Sequence, residues 1–167
     1  DYSPDGRGLS HCFRKLIHHE GMLYMAFLGD SFIEADITTF NRFTIDGFLQ
    51  KDFFDEQPAE AHARWKDVRE HCFRIIRGQR TPLNFKIVLS LAPSHFDAFL
   101  KKEQLTGFTA GDIQGLYLNF HYDGTDLHCI TGTSLRTFTL DKSLEHAWDQ
   151  YVRSFLLESD LDTSVSV

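Results

Sequence analysis

Basic charge is scarce in this 167-residue chain: 17 Lys and Arg stand against 24 Asp and Glu, a formal charge of −7. That balance excludes a protein that wraps nucleic acid with its whole surface, but leaves room for a local basic patch. Cysteine is scarce too. Cys12, Cys72 and Cys129 are odd in number, far apart and outside any CxxC or zinc spacing, so they read as reduced core thiols of an intracellular protein. No run approaches the roughly 18 apolar residues of a membrane helix, and no charged-then-apolar export segment opens the chain. The expectation is a cytoplasmic protein with no membrane partner. The chain starts at Asp1, so an initial strand is expected to be poorly represented.

Catalytic signatures are missing as well. The nine histidines form neither HExxH nor a Cys/His zinc pattern. Gly132-Thr-Ser134 lacks the GxSxG elbow, Asp30-Ser31 has no assigned base, and no Gly-rich loop follows a strand as a phosphate site requires. The sequence therefore calls for no cofactor and no metal.

What the chain has in plenty is phenylalanine, 16 residues, enough to fill a core without a covalent staple. Leu83 to Leu91 alternates apolar and polar residues, the period of a half-buried strand. Pro93, with Ser94 and Asp97 placed as a capping box, and the stripe Phe96, Phe99, Leu100 predict a helix over 93–103. Asp123-Gly124 between alternating runs predicts a hairpin of 115–122 with 125–131. A two-residue turn there would pair Phe120 with Leu127 and Leu118 with Cys129, leaving Tyr117, Asn119, His121, Asp126 and His128 on the polar face. After a turn at Gly132-Thr-Ser134, a third strand is expected over 135–140. Asp141 then caps a helix from Lys142 to about Glu158 with Leu144, Trp148, Tyr151, Phe155 and Leu156 on its apolar stripe.

The first half reads as a version of the second. Phe13, Leu16 and Ile17 stand to Phe96, Phe99 and Leu100 as Trp65 stands to Trp148, the two tryptophans of the chain. Ile45 and Gly47 precede Ile130 and Gly132 by nearly the same offset. Strands are expected over 32–40 and 42–49, a weaker one over 50–54, and a helix over 61–77. The expected fold is α+β. Two tandem strand-helix-three-strand-helix repeats, 8–77 and 83–157, form an antiparallel sheet covered by helices on one face with pseudo-two-fold symmetry, as a single domain over 1–158. Residues 159–167 read as a frayed tail.

Four groups of residues invite a functional reading. His121, Asp126 and His128 share the polar sheet face, as a His/Asp site or as an ordinary solvent face. Glu34 and Asp36 share a strand face, as a cation site or as exposed alternating charge. The adjacent pair His18-His19 reads as surface. Arg64, Lys66, Arg69, Arg74, Arg77, Arg80 and Lys86 face only Asp67 and Glu70 between 61 and 86, a local basic surplus inside an acidic protein. Gly78 and the cations beside it suit a helix C-terminus, and the excess suits a phosphate, nucleic-acid or acidic partner.

At ITTFNRFTIDGFLQKDFF (37–54), RGQRTPLNFKIV (77–88) and DGTDLHCITGTSLRTFTLDKSLEHAWD (123–149) the chain resembles a small bacterial family of uncharacterised proteins, a domain of unknown function. That resemblance implies no activity, cofactor or catalytic residue. The strand, helix and GLYLNFHYDGTDLHCITGTSLRTFTL stretch (115–140) is also similar to the repeating unit of DNA sliding clamps, and the tandem order to the saddle halves of TATA-binding proteins. Clamp units lack helices at 61–77 and 142–157, and fold does not imply function. Three readings stand: a non-enzymatic binding or scaffold protein with a nucleic-acid or acidic partner at the basic segment, an enzyme or metal site at His121, Asp126 and His128, or a homo-oligomer pairing through sheet edges.

Overall fold

A computed structural model describes residues 31–78, 80–125 and 127–158. The expected helix near Phe13, Leu16 and Ile17, the pair His18-His19, Asp126 and the tail after 158 lie outside the described residues. Among the described residues, five strands form one antiparallel sheet in the order β2-β1-β3-β4-β5. They are β1 (Ser31–Thr38), β2 (Arg42–Asp46), β3 (Asn84–Ser90), β4 (Ile113–Tyr122) and β5 (Leu127–Leu135). Three described α-helices accompany them: α1 (Trp65–Ile76), α2 (Phe96–Lys102) and α3 (Ser143–Glu158).

The alternation read in β3 sets the layers. Phe85, Ile87 and Leu89 pair with Ile37, Ala35 and Phe32 on one side and with Tyr122, Phe120 and Leu118 on the other, and all nine are buried. This face carries the helices. Trp65 of α1 stacks on Phe32 at 5.8 Å between ring centroids, and Trp148 of α3 meets Phe99 of α2 edge-on at 5.6 Å. Buried Trp65, Cys72, Phe73 and Ile76 recur at the helical period, as do Leu144, Trp148 and Val152. Asp141 accepts the Ser143 N–H at 2.9 Å at the start of α3, and this bond holds its carboxyl below the usual carboxylate range.

Burial also makes Cys72 inert. Its side chain is 0% exposed, and loss of solvation pushes the thiol up to about 12. A thiol-reactive dye at pH 8 should therefore leave Cys72 unlabelled in the folded protein and label it in urea, as read by peptide mass spectrometry. Above the ordinary value of 9.0 the unfolded chain sheds this proton while the folded chain keeps it. The Cys72 contribution to stability is thus present below that pH and lost as pH rises toward about 12.

Several expectations need correction. The hairpin loop spans four residues rather than two, because Asp123 Oδ1 accepts the Thr125 N–H at 2.8 Å and Gly124 takes φ +102°. Phe120 consequently pairs with Cys129 and Leu118 with Thr131. The shift is even, so Leu118, Phe120 and Cys129 keep the buried face expected of them. Gly132-Thr-Ser134 is no turn: β5 runs straight through it, opposite Tyr117, Leu116 and Gly115, and 135–140 form no third strand. Gln50 to Phe54 likewise holds a 3₁₀ turn, Lys51–Phe53, in place of a strand. Ser94 and Asp97 form no capping box; Pro93 opens a 3₁₀ turn and His95 precedes α2.

The pseudo-two-fold is also corrected for the described elements. β1 and β4 both run antiparallel to β3, hence parallel to each other, and α1 and α3 cover the same face. A two-fold normal to the sheet would reverse the strands, and one along β3 would exchange the faces. Nor does a step across the sheet superpose the units β1-β2-α1 and β4-β5-α3, because β2 and β5 lie at opposite edges, each outside its own partner strand.

Candidate functional site

The open sheet face neutralises its own charges. Asp36 accepts from Arg42 through both carboxylate oxygens, at 3.0 and 2.5 Å, and the guanidinium holds its carboxyl below the usual range. Glu34 pairs with Lys86 at 3.0 Å. His121 and His128 are cross-strand partners, and the carboxylate near His128 is that of Asp123, with Nε2 to Oδ2 at 3.5 Å. Among the described residues, no three His, Cys, Asp or Glu side chains are grouped to hold a metal ion.

The basic segment is dispersed by the geometry of the elements it crosses. A helix turns successive side chains by about 100° and a strand reverses them. Lys86 accordingly sits on the open face, away from the helices. Lys66 is exposed on α1, Arg69 is half-buried, and Arg77 closes the helix with its guanidinium 5.7 Å from the centre of the Phe73 ring. Arg64 lines a cavity at the start of α1, while Arg74 and Arg80 line a groove at its end.

The groove has a volume of about 820 Å³ and lies between the β1-β2 turn and the segment after α1. Arg42 N–H donates to Asn41 Oδ1 at 2.9 Å and Thr39 N–H to the Asn41 carbonyl at 2.8 Å, closing a tight turn that leaves Phe40 94% exposed. Leu83 N–H donates to the Thr38 carbonyl at 2.9 Å and fixes the opposite wall, where Leu83 is 64% exposed. Phe43 and Ile75 supply more apolar lining. Neither Arg74 nor Arg80 has an ion-pair partner among the described residues. Strand periodicity assigned Phe40 to a strand; the signal for its true place was a large apolar side chain between the turn formers Thr39 and Asn41.

The cavity, of about 500 Å³, draws on residues scattered along the chain. Residues 61–63 form a strap: Phe32 N–H donates to the Ala63 carbonyl at 2.9 Å, Ala63 N–H to Gly47 at 2.7 Å, and Leu49 N–H to Ala61 at 3.0 Å. The strap carries His62 and Arg64 to one wall. His62 lies 4.4 Å from the Phe48 ring centre, and burial lowers its pKa against a weaker opposing pull from Asp46. Ser94, His95, Phe99 and Lys102 come from the second half, with Tyr151 and Phe155 from α3. Tyr151 is held by stacking on Trp148 at 5.6 Å and by the edge of Phe99 at 5.3 Å.

Comparison with curated proteins and with solved structures returns no match, so the sliding-clamp likeness finds no counterpart there. No described helix is long and apolar enough to cross a membrane. The model of the family of unknown function DUF5721 matches residues 22–163, and the chain belongs to that family.

Proposed function

We propose that this protein is a single-domain, non-enzymatic binding module that docks an acidic, apolar segment of a partner protein in the groove at the end of α1. The observation that carries this reading is the meeting of exposed Phe40 and Leu83 with Arg74 and Arg80, two cations without ion-pair partners among the described residues, on a chain of charge −7. Solvent-exposed aromatics in a concave surface are sites where burial on binding contributes most. Unpaired cations beside them select for carboxylates. A second copy of the chain is a poorer occupant, since net charge opposes self-association and a symmetric contact would bring like cations together. Nucleic acid is poorer too, because the basic residues do not form one stripe.

The order strand, strand, helix, which β1-β2-α1 and β4-β5-α3 share along the chain, supports a duplicated unit as its origin, although β2 and β5 close opposite edges of the sheet. In the second copy the corresponding turn is Asp123-Gly-Thr-Asp126, with no aromatic at its tip, so the groove belongs to the first copy alone.

A panel of labelled amphipathic peptides, alternating Glu with Leu or Phe, should bind in fluorescence anisotropy. Phe40→Ala, or Arg74→Glu with Arg80→Glu, should each weaken binding by about tenfold or more, while Lys66→Glu leaves it unchanged. Three results would count against the reading: equal binding of Lys-for-Glu peptides, tighter binding of single-stranded or duplex DNA through the same arginines, or a dimer in light scattering that Phe40→Ala dissolves.

A further inference from the structure

We propose that the cavity between the 61–63 strap, α2 and α3 is a second, independent site that binds a small organic anion carrying a planar aromatic ring. Its volume of about 500 Å³ lies within the range typical of small-molecule sites. Two cations from distant parts of the chain, Arg64 beside the strap and Lys102 at the end of α2, line it against one carboxylate, Glu60. Neither cation has an ion-pair partner among the described residues. Lys102 Nζ instead stands 5.1 Å from the centre of the Tyr151 ring.

That arrangement holds a cation over an aromatic face, with the ring immobilised by Trp148 and Phe99. An anion alone would satisfy Arg64 and Lys102 and leave the aromatic wall in water. A neutral ring would cover Tyr151 and leave both cations unpaired. A ligand with both parts matches the whole lining, with Ser31 and Ser94 as hydroxyl partners and His62 and His95 as imidazole partners for its oxygens. The shared chemistry is that of an aryl phosphate or an aryl carboxylate.

Isothermal titration of the full chain with phenyl phosphate, benzoate, inorganic phosphate and phenol separates these sources. Phenyl phosphate or benzoate should bind with 1:1 stoichiometry, whereas inorganic phosphate and phenol should each bind at least about tenfold more weakly. Arg64→Ala and Lys102→Ala should each cost about ten- to hundredfold in affinity, and Arg74→Glu in the groove should cost nothing. Both cation variants should fold, since the Arg64 side chain makes no capping bond and Lys102 is exposed. NMR of the His62 ring provides a second measurement: its resonances should move as phenyl phosphate binds the wild type, and the same movement in Arg64→Ala should need about ten- to hundredfold more ligand. Binding of neither aryl anion, inorganic phosphate binding as tightly as phenyl phosphate, or undiminished affinity in both cation variants would overturn the assignment. None of these results bears on peptide docking in the groove, so the two readings fail separately.

Discussion

Trp148→Ala is expected to lower the free energy of unfolding by about 4 kcal/mol, with a matching fall in the urea midpoint. Its side chain is 0% exposed, and deleting an indole from such a site removes its burial and leaves a void that neighbours fill only in part. The ring also makes a specific bond: Nε1 donates to the Tyr117 carbonyl at 2.8 Å, tying α3 to β4. At the next residue Thr131 donates to Asp149, tying the same helix to β5. Trp148 is therefore both filler and anchor. Trp148→Phe separates the two roles, since it keeps much of the apolar contact but loses the donor. It should cost less, about 2 kcal/mol. A loss below about 1 kcal/mol in Trp148→Ala would mean that α3 is only loosely attached to the sheet. Because Trp148 stacks on Tyr151, the alanine variant should also weaken aryl-anion binding in the cavity while sparing the groove.

What the sequence made legible is what depends on local period. Phe85, Ile87 and Leu89 announced the central strand, and the even-numbered error in the β4-β5 register left the two faces intact. Glycine was the main source of error. Gly132 in Gly-Thr-Ser looked like turn punctuation, yet it lies inside β5 opposite Tyr117. Gly115, two residues from Tyr117, shows what glycine does on this face: a Cβ there would stand 2.2 Å from the Tyr117 hydroxyl oxygen, because the ring lies back over the strand. Gly115 makes room for a neighbour's side chain, a reason that single-chain patterns do not carry, whereas a Cβ on Gly132 would meet only the Tyr117 Cβ at 3.9 Å, an ordinary contact. Site residues were harder still. Seven basic residues close together in sequence were dispersed by a helix and a strand, and the cavity instead joins the strap near residue 62 to α2 and to Tyr151 on α3. Such convergence follows from sheet order, which neither periodicity nor composition encodes.

Gly47→Ala should be the most disruptive methyl addition in the described chain, costing about 3 kcal/mol, and it should damage the cavity along with the fold. A Cβ on Gly47 would stand 2.1 Å from the Phe32 carbonyl oxygen, 2.6 Å from that of Ile33 and 2.9 Å from the Phe32 carbonyl carbon. All three atoms are backbone, so no side chain can swing aside. The two strands must part where the β1-β3 register is already irregular between Phe32 and Glu34. Hydrogen bonds would be lost with the separation. Gly47 N–H donates to Ile33 at 2.8 Å, its carbonyl accepts from Ala63, and Ala63 in turn accepts from Phe32. Those bonds hold the strap that brings His62 and Arg64 to the cavity, so displacement of Gly47 moves the ligand-facing residues with it. Gly107→Ala is the matched control, because no atom lies within 4 Å of its added Cβ, and its effect should stay within about 0.5 kcal/mol. Paired urea titrations of the two variants, with phenyl phosphate binding measured on each, distinguish loss of fold from loss of strap. Equal stability of Gly47→Ala and Gly107→Ala would show that the strap yields at no cost and does not position His62 and Arg64. A Gly47→Ala protein that folds, keeps peptide binding in the groove and loses phenyl phosphate would place the strap, rather than the sheet as a whole, in control of the cavity.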